Sequence, residues 1–287
     1  MTAPASDVIA RARTVVQAEQ ASLADLSIGY PANHFAWRTV LADSARRGHT
    51  MLHEVGVGGG NGVAHVLAAG MAFTGVDHDA AKVDVTRGVL TALGSDPDAV
   101  ACADVMDAQA MRRAPGFGQA DAVMALGIAP HAADDTAVLR AIASIARPGG
   151  RIHVEYRNAL FALVTFNRLT HELIVDDLLG DMPESLRAAV GDFIEPRVLM
   201  DRPPLPTSGH AARFHNPLTI PRVAESVGLS DVSVRPFHFH AGMPAVESQD
   251  PAAFRTASLA LEDDESGWRG LFLASAVLLS ATVPELP

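Results

Sequence analysis

Five glycines fall within seven residues in the stretch Glu54-Val55-Gly56-Val57-Gly58-Gly59-Gly60-Asn61-Gly62. An apolar run, Thr50-Met51-Leu52, precedes them and a helix-like segment, Val63 to Ala69, follows. A strand that ends in such a loop and opens into a helix lets a ligand approach the backbone without meeting a Cβ, beside exposed N–H groups. A dinucleotide loop needs G-x-G-x-x-G. Counting from Gly56 and Gly58 the third position is Asn61, and counting from Gly58 and Gly60 it is Val63, so both frames fail. The spacing that does hold is acidic-x-Gly-x-Gly-x-Gly, at Glu54, Gly56, Gly58 and Gly60.

The chain has 287 residues, 48% of them hydrophobic and 19% charged, enough apolar content for a sizeable core. Its formal net charge is −11, and no basic run interrupts it. Nucleic acid is therefore not expected as a partner, because phosphate neutralisation needs clustered Lys and Arg. Cys102 is the only cysteine, so no intramolecular disulfide can form and a cytoplasmic location is expected. The first seven residues lack a secretory pattern. The longest apolar run, Leu271 to Val283, falls short of the about 20 residues of a membrane span, and no membrane partner is expected.

The hydrophobic pattern predicts helices over 6–28 and 35–46, then strands alternating with helices from residue 50. The strands fall at 50–56, 72–77, 99–103, 121–126 and 151–156; the helices fall at 63–69, 80–93 and 134–146. Arg147-Pro148-Gly149-Gly150 reads as a tight turn. Continuous apolar strands alternating with amphipathic helices specify an α/β fold, a doubly wound, mainly parallel sheet covered on both faces. Further on, helices are expected over 160–179, 184–193 and 220–227, a Pro-rich break at 202–206, and strands at 232–240 and 271–283. This divides the chain into a helical N-terminal cap, 1–49, and an α/β domain, 50–287, carrying a substrate-side helical insertion at about 159–218.

These motifs resemble class I S-adenosylmethionine-dependent methyltransferases, and Phe214-His215-Asn216-Pro217-Leu218 and Phe237-His238-Phe239-His240 look like parts of bacterial small-molecule enzymes of the kind found in natural-product biosynthesis. The resemblance covers most of residues 50–285 and implies a Rossmann-like sheet of seven strands, the seventh antiparallel. Glu54 to Gly60 is similar to the family's first motif, which implies that Glu54, Gly56, Val57, Gly58 and Gly60 face S-adenosyl-L-methionine. Asp77, 21 residues after Gly56, matches the acidic residue that holds the ribose hydroxyls, with His78 beside it. Asp104 matches the acceptor for the adenine amino group, with Val105 packing on the ring. Leu126 and Gly127 match the loop near the methionine part of the cofactor. The Pro148-Gly149-Gly150 turn is similar to the one that precedes the fifth strand. The implied activity is methyl transfer to an oxygen or nitrogen of a small-molecule acceptor, with a homodimer as an allowed assembly. The rival readings are a NAD(P)-dependent oxidoreductase and a non-catalytic cofactor-binding protein on the same fold.

A hydroxyl acceptor needs a base, and histidine is the ordinary choice near neutral pH. Of twelve histidines, His131 ends the fourth strand over the expected methyl position. His53 and His153 lie inside strands and His65 on a helix, where packing roles are expected. His238 and His240 share one face of a strand; with His215 or His210 they are the one arrangement offering a metal site or a base pair, and no metal is assigned. Glu155 and Tyr156 end the fifth strand on opposite faces, so one of them reaches substrate. The catalytic candidates are His131, Tyr156 and His240. Arg157, Asn158 and His238 are candidates for substrate binding. So are Tyr30, His34 and Arg38, in a segment between the first two helices that can close over the site.

Overall fold

The computed structural model describes residues 4–200, 212–263 and 267–285. Two helices open the chain, α1 (Ser6–Ser22) and α2 (Ala32–Arg47). Then follow β1 (Met51–Val55), α3 (Asn61–Ala68), β2 (Ala72–Asp77), α4 (Ala80–Leu93), β3 (Val100–Cys102), α5 (Ala108–Met111), β4 (Ala120–Ala125), α6 (Asp135–Ala143) and β5 (Ala146–Asn158). The second half contains α7 (Arg168–Glu172), α8 (Glu184–Ile194), β6 (Phe214–His215), α9 (Ile220–Ser226), β7 (Ser230–Phe239), α10 (Pro251–Leu261), α11 (Gly270–Leu273) and β8 (Ala274–Thr282).

The sheet runs β3-β2-β1-β4-β5-β8-β7, with the two-residue β6 attached to β5. The strands from β3 to β5 are parallel, and β8 is antiparallel to both β5 and β7. The expected mainly parallel sheet of seven strands with its last strand antiparallel is present, with β6 as a short eighth strand. Every residue of β1 and β2 is buried, as strands covered on both faces require. One core joins Leu52, Phe73, Met124 and Leu278 to Val8, Phe35, Trp37 and Val40 of the first two helices. The other joins Val55, Val76, Val123 and Val154 to α6 and α9. The N-terminal helices therefore share the core of the sheet.

Several boundaries differ from the sequence pattern, each for a local reason. Helix α1 stops at Ser22 rather than residue 28: the Asp25 carboxylate accepts from the Ser27 N–H at 2.8 Å, an Asx turn that competes with helical bonding. The helix expected over 160–179 breaks at 165–167. There Phe166 has φ +52° and the Asn167 side chain caps α7. Residues 147–150 are not a turn ahead of the fifth strand but a bulge within it. Ala146 pairs with Ala120 and Arg151 already with Ala122, Pro148 supplies no N–H, and Gly149 has φ +72°. The last strand begins at Ala274 because Gly270–Leu273 forms a helical turn. Helix α10 was not anticipated. The Pro-rich break at 202–206 and His210 lie outside the described residues.

Candidate functional site

The loop after β1 turns through Gly56, Gly58 and Gly60, with φ of +80°, +51° and +78°. Left-handed backbone of this kind favours glycine. Its N–H groups are pinned to the end of β2: Gly56 donates to the Val76 carbonyl at 2.8 Å, and Gly58 donates to Asp77 Oδ2 at 2.9 Å. The Asp79 N–H holds the other carboxylate oxygen at 2.9 Å, and His78 Nδ1 lies 3.5 Å away. Asp77 is thus a buried carboxylate in a fixed orientation at a strand end.

A cavity of about 530 Å³ opens at these strand ends, walled by Gly56, Asp77, Asp104, Val105, Gly127 and Ile128. Its size and makeup suit a nucleoside: a fixed carboxylate for vicinal hydroxyls, a second at Asp104 for an exocyclic amine, and Val105 and Ile128 for a flat ring. Gly56 packs directly on Ile128: a methyl there would lie 2.7 Å from Ile128 Cδ1. Asp104 also accepts from the Met106 N–H at 2.9 Å, which fixes its rotamer. These residues fit S-adenosylmethionine.

A second cavity, about 770 Å³, lies at the ends of β5 and β7 and is walled by Glu155, Arg157, Phe161, Phe237, His238 and His240. Burial holds the imidazoles of His238 and His240 down to about 4, so both are neutral near neutral pH. The rings lie 5.0 Å apart, and His238 has φ +60°, a strained backbone that turns its side chain. Burial pushes the Glu155 carboxyl above its ordinary value, against the Gly127 N–H and the Arg157 charge, which act to lower it. That N–H donates to Glu155 Oε2 at 2.8 Å. Gly127 walls the first cavity and Glu155 the second, so the bond bridges them.

The structure separates the candidates that sequence had grouped. Gly56, Asp77, His78, Asp104, Val105, Gly127 and His131 wall the first cavity. Gly58 supports it through Asp77. Glu54, Val57 and Leu126 do not wall it. The Glu54 side chain turns beneath the loop, where burial and the Asp77 charge raise its carboxyl well above the ordinary value. Val57 is buried in the core, and Leu126 packs against that same core. Gly60 faces Val89 and Thr86 of α4 instead.

Arg157, His238 and His240 wall the second cavity. Tyr156 does not: strand alternation sends it to the opposite face, where it is 1% exposed and packs edge-on to His215 at 4.7 Å. That contact also removes His215 from the neighbourhood of His238 and His240; it pairs with Asp135 at 3.0 Å. Asn158 is structural. Its Nδ2 donates to the carbonyls of Leu271 at 2.9 Å and Ala274 at 2.8 Å, and its Oδ1 caps the following turn.

Arg38 is occupied by Asp263 and the Glu262 carbonyl, both at 2.8 Å. The Tyr30 hydroxyl donates to Glu262 Oε1 at 2.8 Å while its ring stacks on His238 at 5.0 Å. His34 pairs with Glu19 and walls neither cavity. Glu262 was missed because α10 was missed. Glu155 was visible only as half of an undecided alternation.

Residues 53–154 match the family model described as a methyltransferase domain. No curated protein sequence matches the chain. Among solved structures, it resembles a chain in the complex between the Haloferax volcanii Trm112 methyltransferase activator and a methyltransferase, with 13% identity, 98% of this chain and 99% of that chain covered, and a TM-score of 0.51. It also resembles a SAM-dependent methyltransferase from Archaeoglobus fulgidus, at 16% identity over 86% of this chain and 94% of that one, TM-score 0.44. The S-adenosylmethionine-dependent methyltransferase SibL is 16% identical over 87% of this chain and 55% of its own, TM-score 0.47, so the present chain spans little more than half of SibL's length. At such identities structural likeness speaks for the fold alone. With that fold and the glycine loop, residues 53–154 carry a methyltransferase domain, and the cavity at its strand ends fits S-adenosylmethionine.

Proposed function

We propose that the protein transfers a methyl group to an oxygen or nitrogen of a small-molecule acceptor seated in the cavity beside Glu155. The observation that carries this reading is the Gly127–Glu155 hydrogen bond, which sets a carboxylate between the cofactor cavity and an aromatic-lined neighbour. When bound, S-adenosylmethionine supplies a sulfonium methyl open to in-line displacement. The chain's own work is alignment, which can contribute roughly 7–11 kcal/mol.

Asp77 would accept from the ribose hydroxyls and Asp104 from the adenine amine. Glu155 keeps one oxygen on the Gly127 N–H and offers the other to the acceptor's O–H or N–H. A carboxyl raised by burial is a stronger base than a free one. His238 and His240, held neutral, hydrogen-bond the acceptor without adding charge. Arg157 pairs with a polar or anionic substituent.

Domain roles follow. Residues 1–49 form the cap whose Tyr30 latches to Glu262, and the insertion at about 159–218 walls the acceptor cavity through Phe161, Thr165 and Leu169. A cytoplasmic location goes with this reading, given one exposed free thiol at Cys102. Among the described residues no helix is long and apolar enough to cross a membrane.

The test is incubation with methyl-labelled S-adenosylmethionine and a panel of phenols, alcohols and amines. Label should move to an acceptor, and NAD should not compete for the cofactor cavity. Calorimetric binding of NAD in place of S-adenosylmethionine would sink the proposal.

A further inference from the structure

Glu19 of α1, His34 of α2 and His65 of α3 converge outside the cavity that Glu155 walls. Glu19 Oε1 lies 3.0 Å from His34 Nδ1, and Glu19 Oε2 lies 2.9 Å from His65 Nε2. The donor atoms of all three groups fall within 4.8 Å of one another. Both imidazoles are buried, at 9% and 6% exposed, while Glu19 is 34% exposed. The three side chains wall a cavity of about 830 Å³ that also meets Gly59, Gly60 and Asn61 of the glycine loop.

We propose that Glu19, His34 and His65 bind a divalent transition-metal ion of the Zn2+ class, which ties both cap helices to the helix that leaves the glycine loop. Two imidazoles and one carboxylate are a donor set for Zn2+ and its neighbours in the first transition series, not for Mg2+ or Ca2+, which prefer oxygen. The spacing agrees. Tetrahedral donors each about 2.1 Å from one ion stand about 3.4 Å apart, so the two contacts, now at 3.0 and 2.9 Å, need open by only a few tenths of an ångström.

Each carboxylate oxygen faces a different ring nitrogen, so an ion between them meets both oxygens. Coordination takes the lone pair at Nδ1 of His34 and at Nε2 of His65, so each ring carries its proton on its other nitrogen. The rings are held for this. The His65 ring stacks on Trp37 at 6.1 Å with the planes 6° apart, and the His34 ring meets His65 edge-on at 5.5 Å. Two imidazoles and a carboxylate that uses both oxygens supply four donor atoms, enough to hold a structural ion.

The site spans three helices separated in sequence, so its staple closes long loops. Bound metal should therefore raise the stability of the cap against the domain.

The experiment treats the full chain with a chelator, removes the chelator, and titrates Zn2+ and, separately, Mg2+ by calorimetry, with the melting temperature as a second readout. Expected are one equivalent of bound Zn2+, a rise in melting temperature, and no heat with Mg2+. Glu19→Gln and His65→Gln should each lower Zn2+ affinity by more than the roughly 10–100-fold that losing an outer-shell partner costs. His238→Ala with His240→Ala should leave it unchanged.

Circular dichroism of the metal-free variants separates loss of a ligand from loss of fold. If either variant unfolds, x-ray absorption on the Zn2+-loaded native chain decides between two nitrogen donors with a carboxylate and any other set. Absent binding, or binding abolished by the 238/240 pair and not by the Glu19 and His65 changes, overturns the proposal. S-adenosylmethionine binding measured on the same metal-free chain shows separately whether the methyltransferase reading stands.

Discussion

The Gly127 N–H donates a 2.8 Å hydrogen bond to Glu155 Oε2, joining the ends of β4 and β5. One residue walls the cavity beside Asp77 and the other the cavity of His238 and His240. A carboxylate so placed has one oxygen fixed and one available. Glu155→Gln keeps the shape and removes the basicity. It should lower turnover of a hydroxyl acceptor by roughly 10²–10⁴-fold, with S-adenosylmethionine affinity changed little. Because burial raises the Glu155 carboxyl, the acid limb of kcat should lie above the ordinary carboxylate range and vanish in the variant. Calorimetry and a pH–rate profile measure the two effects.

Asp77→Ala removes the ribose acceptor and the anchor of the Gly58 N–H together. A hydrogen bond to a charged group contributes about 1.5–3 kcal/mol, so S-adenosylmethionine affinity should fall by roughly 10–150-fold. Unchanged affinity by titration calorimetry would remove Asp77 from the site.

The cofactor half of the fold was legible because its signals are local. Strand ends, the glycine spacing and the acidic residue after β2 each depend on a few neighbouring positions. The acceptor half was not. Tyr156 and Glu155 occupy adjacent positions on one strand, and only the packing of His215 against Tyr156 decides which faces the core. Asn158 reads as a polar contact until Leu271 and Ala274, more than a hundred residues away, supply its acceptors. Arg38 and Tyr30 likewise meet the Glu262–Asp263 corner only through the tertiary fold. Such pairings carry no periodicity.

Trp37 covers Gly62, and this contact seats the cap on α3. A methyl at Gly62 would collide with the Trp37 ring and come within 2.7 Å of Glu54 Oε2. Replacing glycine by alanine inside a helix ordinarily stabilises by up to about 1 kcal/mol. Gly62→Ala should instead destabilise by about 1–3 kcal/mol through overpacking. Gly88→Ala, in α4 with nothing within 4 Å of the added methyl, should stabilise. Urea midpoints of the two variants test the difference in sign.

Buried histidines weaken the fold on the acid side: His238 and His240 do so, and within the sheet so do His53 and His153. Burial holds His53 down to about 4 and His153 to about 3; for His153 the neighbouring Asp43 opposes that effect. Both rings bond hydroxyls across adjacent strands, His53 to Thr74 at 2.9 Å and His153 to Ser280 at 2.8 Å. Below about pH 6.5 the unfolded chain takes up protons that the folded chain refuses. Stability is full above that pH and declines as pH falls, by up to about 1.4 kcal/mol per pH unit for each histidine, until the folded values are reached. Denaturant midpoints at pH 7, 6 and 5 should decline accordingly, and His53→Gln should flatten the slope by its share. A constant midpoint over that range would contradict the assignment.

The most direct test of the account is a crystal structure with S-adenosylhomocysteine bound. The prediction puts the ribose on Asp77, the adenine between Asp104 and Val105, and the sulfur at Gly127, facing Glu155 and the cavity of His238 and His240. A sulfur directed away from Glu155, or a nucleoside lying outside the cavity walled by Asp77 and Gly127, would contradict it.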